Sequence, residues 1–325
     1  MLPLEGVYAA AGTPRRLGTQ DINLGVMWDL IDFLNSHQVD GIVLLGSTGE
    51  FPHYSNSERM RLMGLAAKRS KTPVVINVSH STLDGAVELA QAAAASGAAA
   101  VLLMPPYFFR YDLEQLRGFF RRFVAEAEID IPILLYHIPL FTNPVPIELA
   151  QALLREGLAQ GIKDSSGDND YLAALVSAKQ DNSFTLLLGN DAMYCQAQGI
   201  SGVVSGIASA VPELLVGMKR AIAGNDVELI TRLDARLQQF TSWIDKLPVP
   251  VSIKEAAAQR GLKLGPHAIP ADDRTIVEFR EWFKPWLAAV QRVKHVGWRL
   301  PPPWPAYGAD IQPGAAGSNL LLYNR

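Results

Sequence analysis

A single cysteine, Cys195, in 325 residues excludes an internal disulfide and any cysteine-based zinc site; a lone thiol of this kind reads as a small core residue. Neither sign of charge predominates, the formal net charge being −3. No basic stripe offers itself to a nucleic acid, and no acidic run marks a solvated tail. Long apolar runs are also missing. The alanine-rich residues 86–104 come nearest, but Glu88, Gln91, Ser96 and Gly97 interrupt them and Pro105-Pro106 follows. They read as a buried helix, a turn and a strand rather than a membrane span. Residues 1–6 have neither the basic n-region nor the apolar h-region of a signal peptide. The expectation is a cytoplasmic protein with no membrane or nucleic-acid partner.

What the chain does have is hydrophobic residues, 49% of the total, enough to bury a large core. Eight short apolar runs recur, at residues 6–10, 41–45, 74–78, 99–104, 133–136, 161–163, 185–188 and 202–204. Amphipathic stretches lie between them, among them 24–36, 57–69, 83–96, 113–126 and 147–156. Strands alternating with helices make βα units on a parallel sheet, and nearly unbroken apolar strands fit a sheet covered on both faces. Eight units predict closure into a (β/α)8 TIM barrel, an α/β fold. An open doubly wound sheet would carry a phosphate-binding glycine fingerprint after its first strand, where this chain has Ala11-Gly12-Thr13-Pro14. Ser57-Glu58, Thr82 and Asp112 mark helix starts. Pro212 opens a helix after the eighth run, and helical patterning continues to about Val290, with breaks at Gly224-Asn225, 247–250 and 261–270. The predicted organisation is a barrel over 1–224, a C-terminal helical appendage over 225–298, and a Pro/Gly-rich extended or disordered tail over 299–325.

Barrel enzymes place their chemistry where the strands end. The second run ends in Gly46-Ser47-Thr48-Gly49-Glu50. Two glycines around two hydroxyls permit a tight turn with exposed N–H groups, suited to a carboxylate or phosphate, although an ordinary βα turn reads the same way. The fifth run ends in Tyr136-His137-Ile138-Pro139, where the tyrosine is either a packed aromatic or a polar tip in the barrel mouth. The sixth ends in Lys163-Asp164-Ser165-Ser166-Gly167-Asp168. A lysine here either reaches the rim or pairs with Asp164 or Asp168, or it lies buried, where the neutral, nucleophilic amine is favoured. Tyr136 and Lys163 end consecutive strands, about 4.8 Å apart in a parallel sheet. A lysine nucleophile beside a phenolic proton shuttle is a coherent pair.

Taken together, residues 46–50, Pro106-Tyr107, residues 136–139, residues 163–168, Gly189-Asn190-Asp191 and residues 202–205 resemble the dihydrodipicolinate synthase / N-acetylneuraminate lyase family of class I aldolases, in order and spacing, across roughly residues 4–290. The resemblance implies that Lys163 forms an imine with a 2-oxo acid such as pyruvate and that Tyr136 relays protons. It implies that Ser47 and Thr48 bind the carboxylate through hydroxyl and backbone N–H, that the carbonyl of Val204 lines the pocket opposite, and that Gly189 and Asp191 line the second-substrate side. Tyr107 and Ser165, within matching motifs, join the substrate-binding set. The imine itself would be the electron sink, so no cofactor is implied. A homo-oligomer, dimer or tetramer, is the family's common assembly.

The departures narrow the activity. Dihydrodipicolinate synthases of this family typically carry an arginine five residues after the strand-end tyrosine. Here Phe141 stands there and cannot make a bidentate contact with a carboxylate. They also tend to carry a second tyrosine after Pro-Tyr, where this chain has Phe108, and N-acetylneuraminate lyases an acidic residue where it has Ala192. The expectation is an aldolase for a 2-keto-3-deoxy sugar acid or a 4-hydroxy-2-oxo acid. Alternatives are a dehydratase or hydratase using the same imine, dihydrodipicolinate synthase itself, and a non-catalytic barrel. His137, Phe141, Thr142 and Asn143 are the candidate specificity wall, with His137 either an extra base or a packed ring. His53, His80 and His137 follow three different strands, which disfavours a shared metal.

Overall fold

The computed structural model describes residues 4–19 and 21–292; the expected tail over 299–325 lies outside them. Eight parallel strands close into a barrel in sequence order. They are β1 (Gly6–Ala10), β2 (Gly41–Leu44), β3 (Val74–Asn77), β4 (Ala100–Leu103), β5 (Ile133–His137), β6 (Gly161–Asp164), β7 (Thr185–Leu188) and β8 (Gly202–Ser205). Each lies within about one residue of an apolar run in the sequence. That precision has a physical cause: these strands are buried by helices outside and side chains inside, so neither face needs polar residues.

Helices α1 (Leu24–Ser36), α2 (Asn56–Arg69), α3 (Leu83–Ser96), α4 (Leu113–Ala127), α5 (Ile147–Arg155) and α6 (Asn169–Asp181) follow the first six strands. After β7 the connection shortens to a 3₁₀ turn, Asp191–Met193, and α7 (Pro212–Ala223) follows β8. Thr82 and Asp112 cap their helices as expected, the latter in a capping box with Gln115. Ser57-Glu58 lies in the first turn of α2 as expected, and the cap is Ser55, boxed with Glu58. In a run of three small polar residues, Ser55 is the one three positions before a glutamate, the spacing that satisfies two N–H groups at once.

In-register neighbours face the same side of a sheet, and successive residues alternate. Tyr136 pairs with Lys163 and Lys163 with Leu187. Leu187 pairs with Gly202, and Tyr8 with Val204. Tyr8, Tyr136, Lys163 and Val204 therefore point into the barrel, while His137 and Asp164 point out toward the helices. The Tyr8 ring fills the floor. A Cβ on Gly41 would lie 2.1 Å from that ring, which explains a glycine opening β2.

Three further helices, α8 (Val227–Ile244), α9 (Val251–Gln259) and α10 (Asp273–Gln291), form the appendage. The rings of Phe240, Phe279, Phe283 and Trp286 pack into one cluster between α8 and α10. Such pairs add specific geometry to the burial of large apolar area. α9 lies across the barrel mouth, where Ile253 reaches Gly206, just past β8.

Candidate active site

Lys163 and Tyr136 are both buried, at 4% and 0% exposure. The Lys163 Nζ lies 4.1 Å from the centre of the Tyr136 ring, and the Tyr136 hydroxyl lies 3.2 Å from Ser47 Oγ. Neither neighbouring aspartate captures the lysine. Asp164 faces outward and accepts a hydrogen bond from the Ser166 N–H at 3.0 Å. Asp168 caps α6, accepting from the N–H groups of Asp170 and Tyr171. Burial by itself raises the Tyr136 pKa, but the Lys163 charge and contacts with Ser47, Lys163 and Ser165 outweigh it, so the phenol sits below its ordinary value.

The turn after β2 is built to expose donors. Leu45 and Glu50 take left-handed φ values of 58° and 53°, bracketing Gly46-Ser47-Thr48-Gly49. Among the described residues, the N–H groups of Ser47 and Thr48 donate to no backbone carbonyl, which leaves them for a ligand. The turn is anchored on both sides. Asn77 donates to the Leu45 carbonyl at 2.7 Å and accepts from Ser79 Oγ, which in turn accepts from the Met104 N–H. Glu50 accepts from Lys254 Nζ of α9 at 3.0 Å and from the Ala268 N–H at 3.2 Å, with Arg15 Nε at 3.8 Å. Sequence reasoning missed Asn77, Arg15 and Lys254. No local pattern signals them: Arg15 stands beside Arg16 and Lys254 beside Glu255, and their partners lie far off in the chain.

Gly189 has a concrete task. A Cβ there would lie 1.9 Å from Ser165 Oγ and 2.8 Å from Lys163 Cε. Gly189→Ala is therefore expected to displace the amine and lower kcat by about 10²-fold, since a misplacement near 1 Å has that effect, with the thermal midpoint nearly unchanged. Wild-type kcat in the variant contradicts this. Asp191 is held near Ser205 and the Ile207 N–H, with Oδ1 buried and, among the described residues, unpartnered. Burial raises its pKa to about 6 against those bonds and the Lys163 charge.

Other predicted residues are not gathered here. His137 faces the helical layer, stacked on Tyr171 with ring centres 4.1 Å apart, and its Nδ1 accepts from the Val145 N–H. It has no geometry for an extra base at Lys163. Thr142 and Asn143 tie their loop to the one after β4, donating to the carbonyls of Pro105, Pro106 and Phe109. Phe108 is 89% exposed. Burial pushes the His137 pKa down to about 4, Asp168 opposing, from an ordinary 6.5. Between those values the unfolded chain binds a proton that the folded chain refuses, so stability falls as pH drops from 6.5 toward 4. His137→Phe should flatten that slope in urea midpoints measured across the window; an unchanged slope contradicts the packed, neutral ring.

A cavity of about 270 Å³ opens beside Ser47, lined also by Tyr107, Phe141 and Met104 and by appendage residues 248–251 and 267–269. Ser47 is the link between this cavity and the lysine–tyrosine pair. Among the described residues no cluster of three or more His, Cys, Asp or Glu side chains is placed to hold a metal, and no helix is long and apolar enough to cross a membrane.

The sequence matches the dihydrodipicolinate synthetase family over residues 3–272. It is 32% identical over 277 residues to the 4-hydroxy-tetrahydrodipicolinate synthase of Methanosphaerula palustris, spanning 83% of this chain and 94% of that one. The solved 4-hydroxy-tetrahydrodipicolinate synthase of Methylacidiphilum fumariolicum SolV is similar with a TM-score of 0.80 at 26% identity, over 89% of this chain and 98% of that one. YagE of E. coli K12, crystallised with pyruvate, shares the fold at a TM-score of 0.81 and 23% identity, over 87% and 99% of the two chains. The barrel, the lysine and tyrosine on adjacent strands, and a family match through residue 272 agree, and the chain belongs to the dihydrodipicolinate synthetase family.

Proposed function

We propose that this protein is a Schiff-base-forming lyase, a class I aldolase that makes or breaks a carbon–carbon bond between pyruvate and an aldehyde. The observation that carries the reading is the buried contact of Lys163, Tyr136 and Ser47 at the strand ends. An ammonium beside a phenolate, and an amine beside a phenol, differ by one proton moved across that contact. The second form supplies the nucleophile, and a phenol with a depressed pKa eases the exchange.

The neutral Lys163 amine attacks the keto carbon of pyruvate, and loss of water gives a protonated imine. The Ser47 hydroxyl and the free N–H groups of Ser47 and Thr48 hold the carboxylate, fixing the keto carbon for attack. Loss of a proton from C3 gives an enamine, which attacks the aldehyde; water then releases the product from Lys163. Cleavage runs these steps backward, with Tyr136 taking the proton of the C4 hydroxyl. Val204 and Asp191 complete the pocket in this reading.

Relatives bearing the name 4-hydroxy-tetrahydrodipicolinate synthase keep that activity as a second reading. Phe141 on the cavity wall, where the family resemblance implies an arginine for a substrate carboxylate, disfavours it. A dehydratase would use the same imine. Product analysis of a 4-hydroxy-2-oxo acid decides: pyruvate plus an aldehyde supports the aldolase, and a dehydrated acid of unchanged carbon count overturns it. We also infer a cytoplasmic homo-oligomer, dimer or tetramer. Phe108, Phe109 and Leu140, all well exposed, support a covered surface of this kind.

A further inference from the structure

Building on the imine reading of Lys163, we propose that the acceptor is an aldehyde with a hydrocarbon body, aromatic or branched aliphatic, and that the acid made or cleaved is a 4-hydroxy-2-oxo acid with an apolar group on C4. The cavity beside Ser47 carries this. Phe51, Met104 and Phe141 from the barrel face Val249, Val251 and Ile269 from the appendage across it.

Its polar groups are already engaged. The Glu50 carboxylate is held by Lys254, the Ala268 N–H and Arg15. His267 Nε2 lies 3.0 Å from Glu255 Oε1, and Arg280 Nε lies 2.6 Å from Glu255 Oε2. The Tyr107 hydroxyl lies toward Ser81, and His53 stands exposed at the edge. No lysine or arginine lines the cavity among the described residues. A second carboxylate would therefore enter without a cation, and the hydroxyls of a polyol would leave water for walls that cannot bond them.

Among the described residues, one buried polar atom of this wall has no hydrogen-bond partner, His267 Nδ1. With Nε2 turned to Glu255, Nδ1 is left to exchange a hydrogen bond with a single hydroxyl, which both donates and accepts, on an otherwise apolar body. Size agrees. A cavity of about 150 Å³ accepts benzene, so about 270 Å³ holds a ring joined to a short chain. In the condensation the enamine π pair forms the C3–C4 bond and the nitrogen lone pair restores the iminium. The aldehyde oxygen takes one proton to become the C4 hydroxyl.

The test uses the full-length enzyme with pyruvate and, in turn, benzaldehyde, isobutyraldehyde, glyceraldehyde and succinic semialdehyde, following aldehyde consumption. Borohydride trapping of pyruvate is run on the same preparation. The expected result is an adduct in every preparation, and kcat/KM for the two hydrocarbon aldehydes about 10²-fold above the others. Phe141→Arg, at a position 52% exposed and tolerant of a longer side chain, should raise kcat/KM for succinic semialdehyde about 10-fold and lower it for benzaldehyde. An adduct accompanied by equal or better use of glyceraldehyde or the semialdehyde overturns the acceptor class alone. So does failure to consume the hydrocarbon aldehydes, or a ranking that Phe141→Arg leaves unchanged. Absence of any adduct overturns the imine reading and this inference with it.

Discussion

Lys163→Ala is expected to lower turnover by on the order of 10⁴-fold or more, the scale seen when a covalent nucleophile is deleted. Among the described residues Lys163 Nζ is the one amine over the Tyr136 ring, and Asp164 and Asp168 are committed to a turn and a helix cap. Among the described residues no other amine at this point of the barrel is placed to supply the electron sink. The fold should survive, because removing the buried amine also removes the desolvation of its charge. A thermal midpoint within a few degrees of wild type, alongside lost turnover, is the expected pair of results. Turnover within about 10-fold of wild type would move the chemistry elsewhere.

Tyr136→Phe is expected to lower kcat by roughly 10²–10³-fold, in the range of a lost general acid–base group. The substitution keeps the ring beneath the Lys163 Nζ and removes only the hydroxyl that contacts Ser47 at 3.2 Å. Stability should fall by about 1 kcal/mol for the lost hydrogen bond. Imine formation with pyruvate should slow but persist, because the nucleophile remains, so kcat falls while a trapped adduct still accumulates. Wild-type kcat would leave the phenol a packed aromatic.

The barrel was legible because burial on two faces leaves strands with few polar residues to blur them, as at residues 185–188, predicted and found as Thr185–Leu188. Lys163 and Tyr136 stood out because a lysine and a phenol closing successive apolar strands are costly without a purpose. Of the two readings open for His137, the packed ring fits the structure, for a reason also present in the sequence: it follows Tyr136 directly, and alternation sends neighbours to opposite faces. The bonds of Thr142 and Asn143 to carbonyls 34 or 37 positions away leave no local trace in the sequence. The grip of Lys254 on Glu50 joins positions 204 apart, and no pattern in either segment announces it. The apolar chamber was hidden in the same way, since half its wall comes from residues 248–251 and 267–269 of the appendage.

The most direct test is the intact mass of the protein after incubation with pyruvate and borohydride, followed by peptide mapping. A covalent increment of pyruvate less one oxygen, confined to the peptide containing Lys163 and absent from Lys163→Ala, is the predicted result. An unmodified, folded wild-type chain, or an increment on a different lysine, would contradict the account at its foundation.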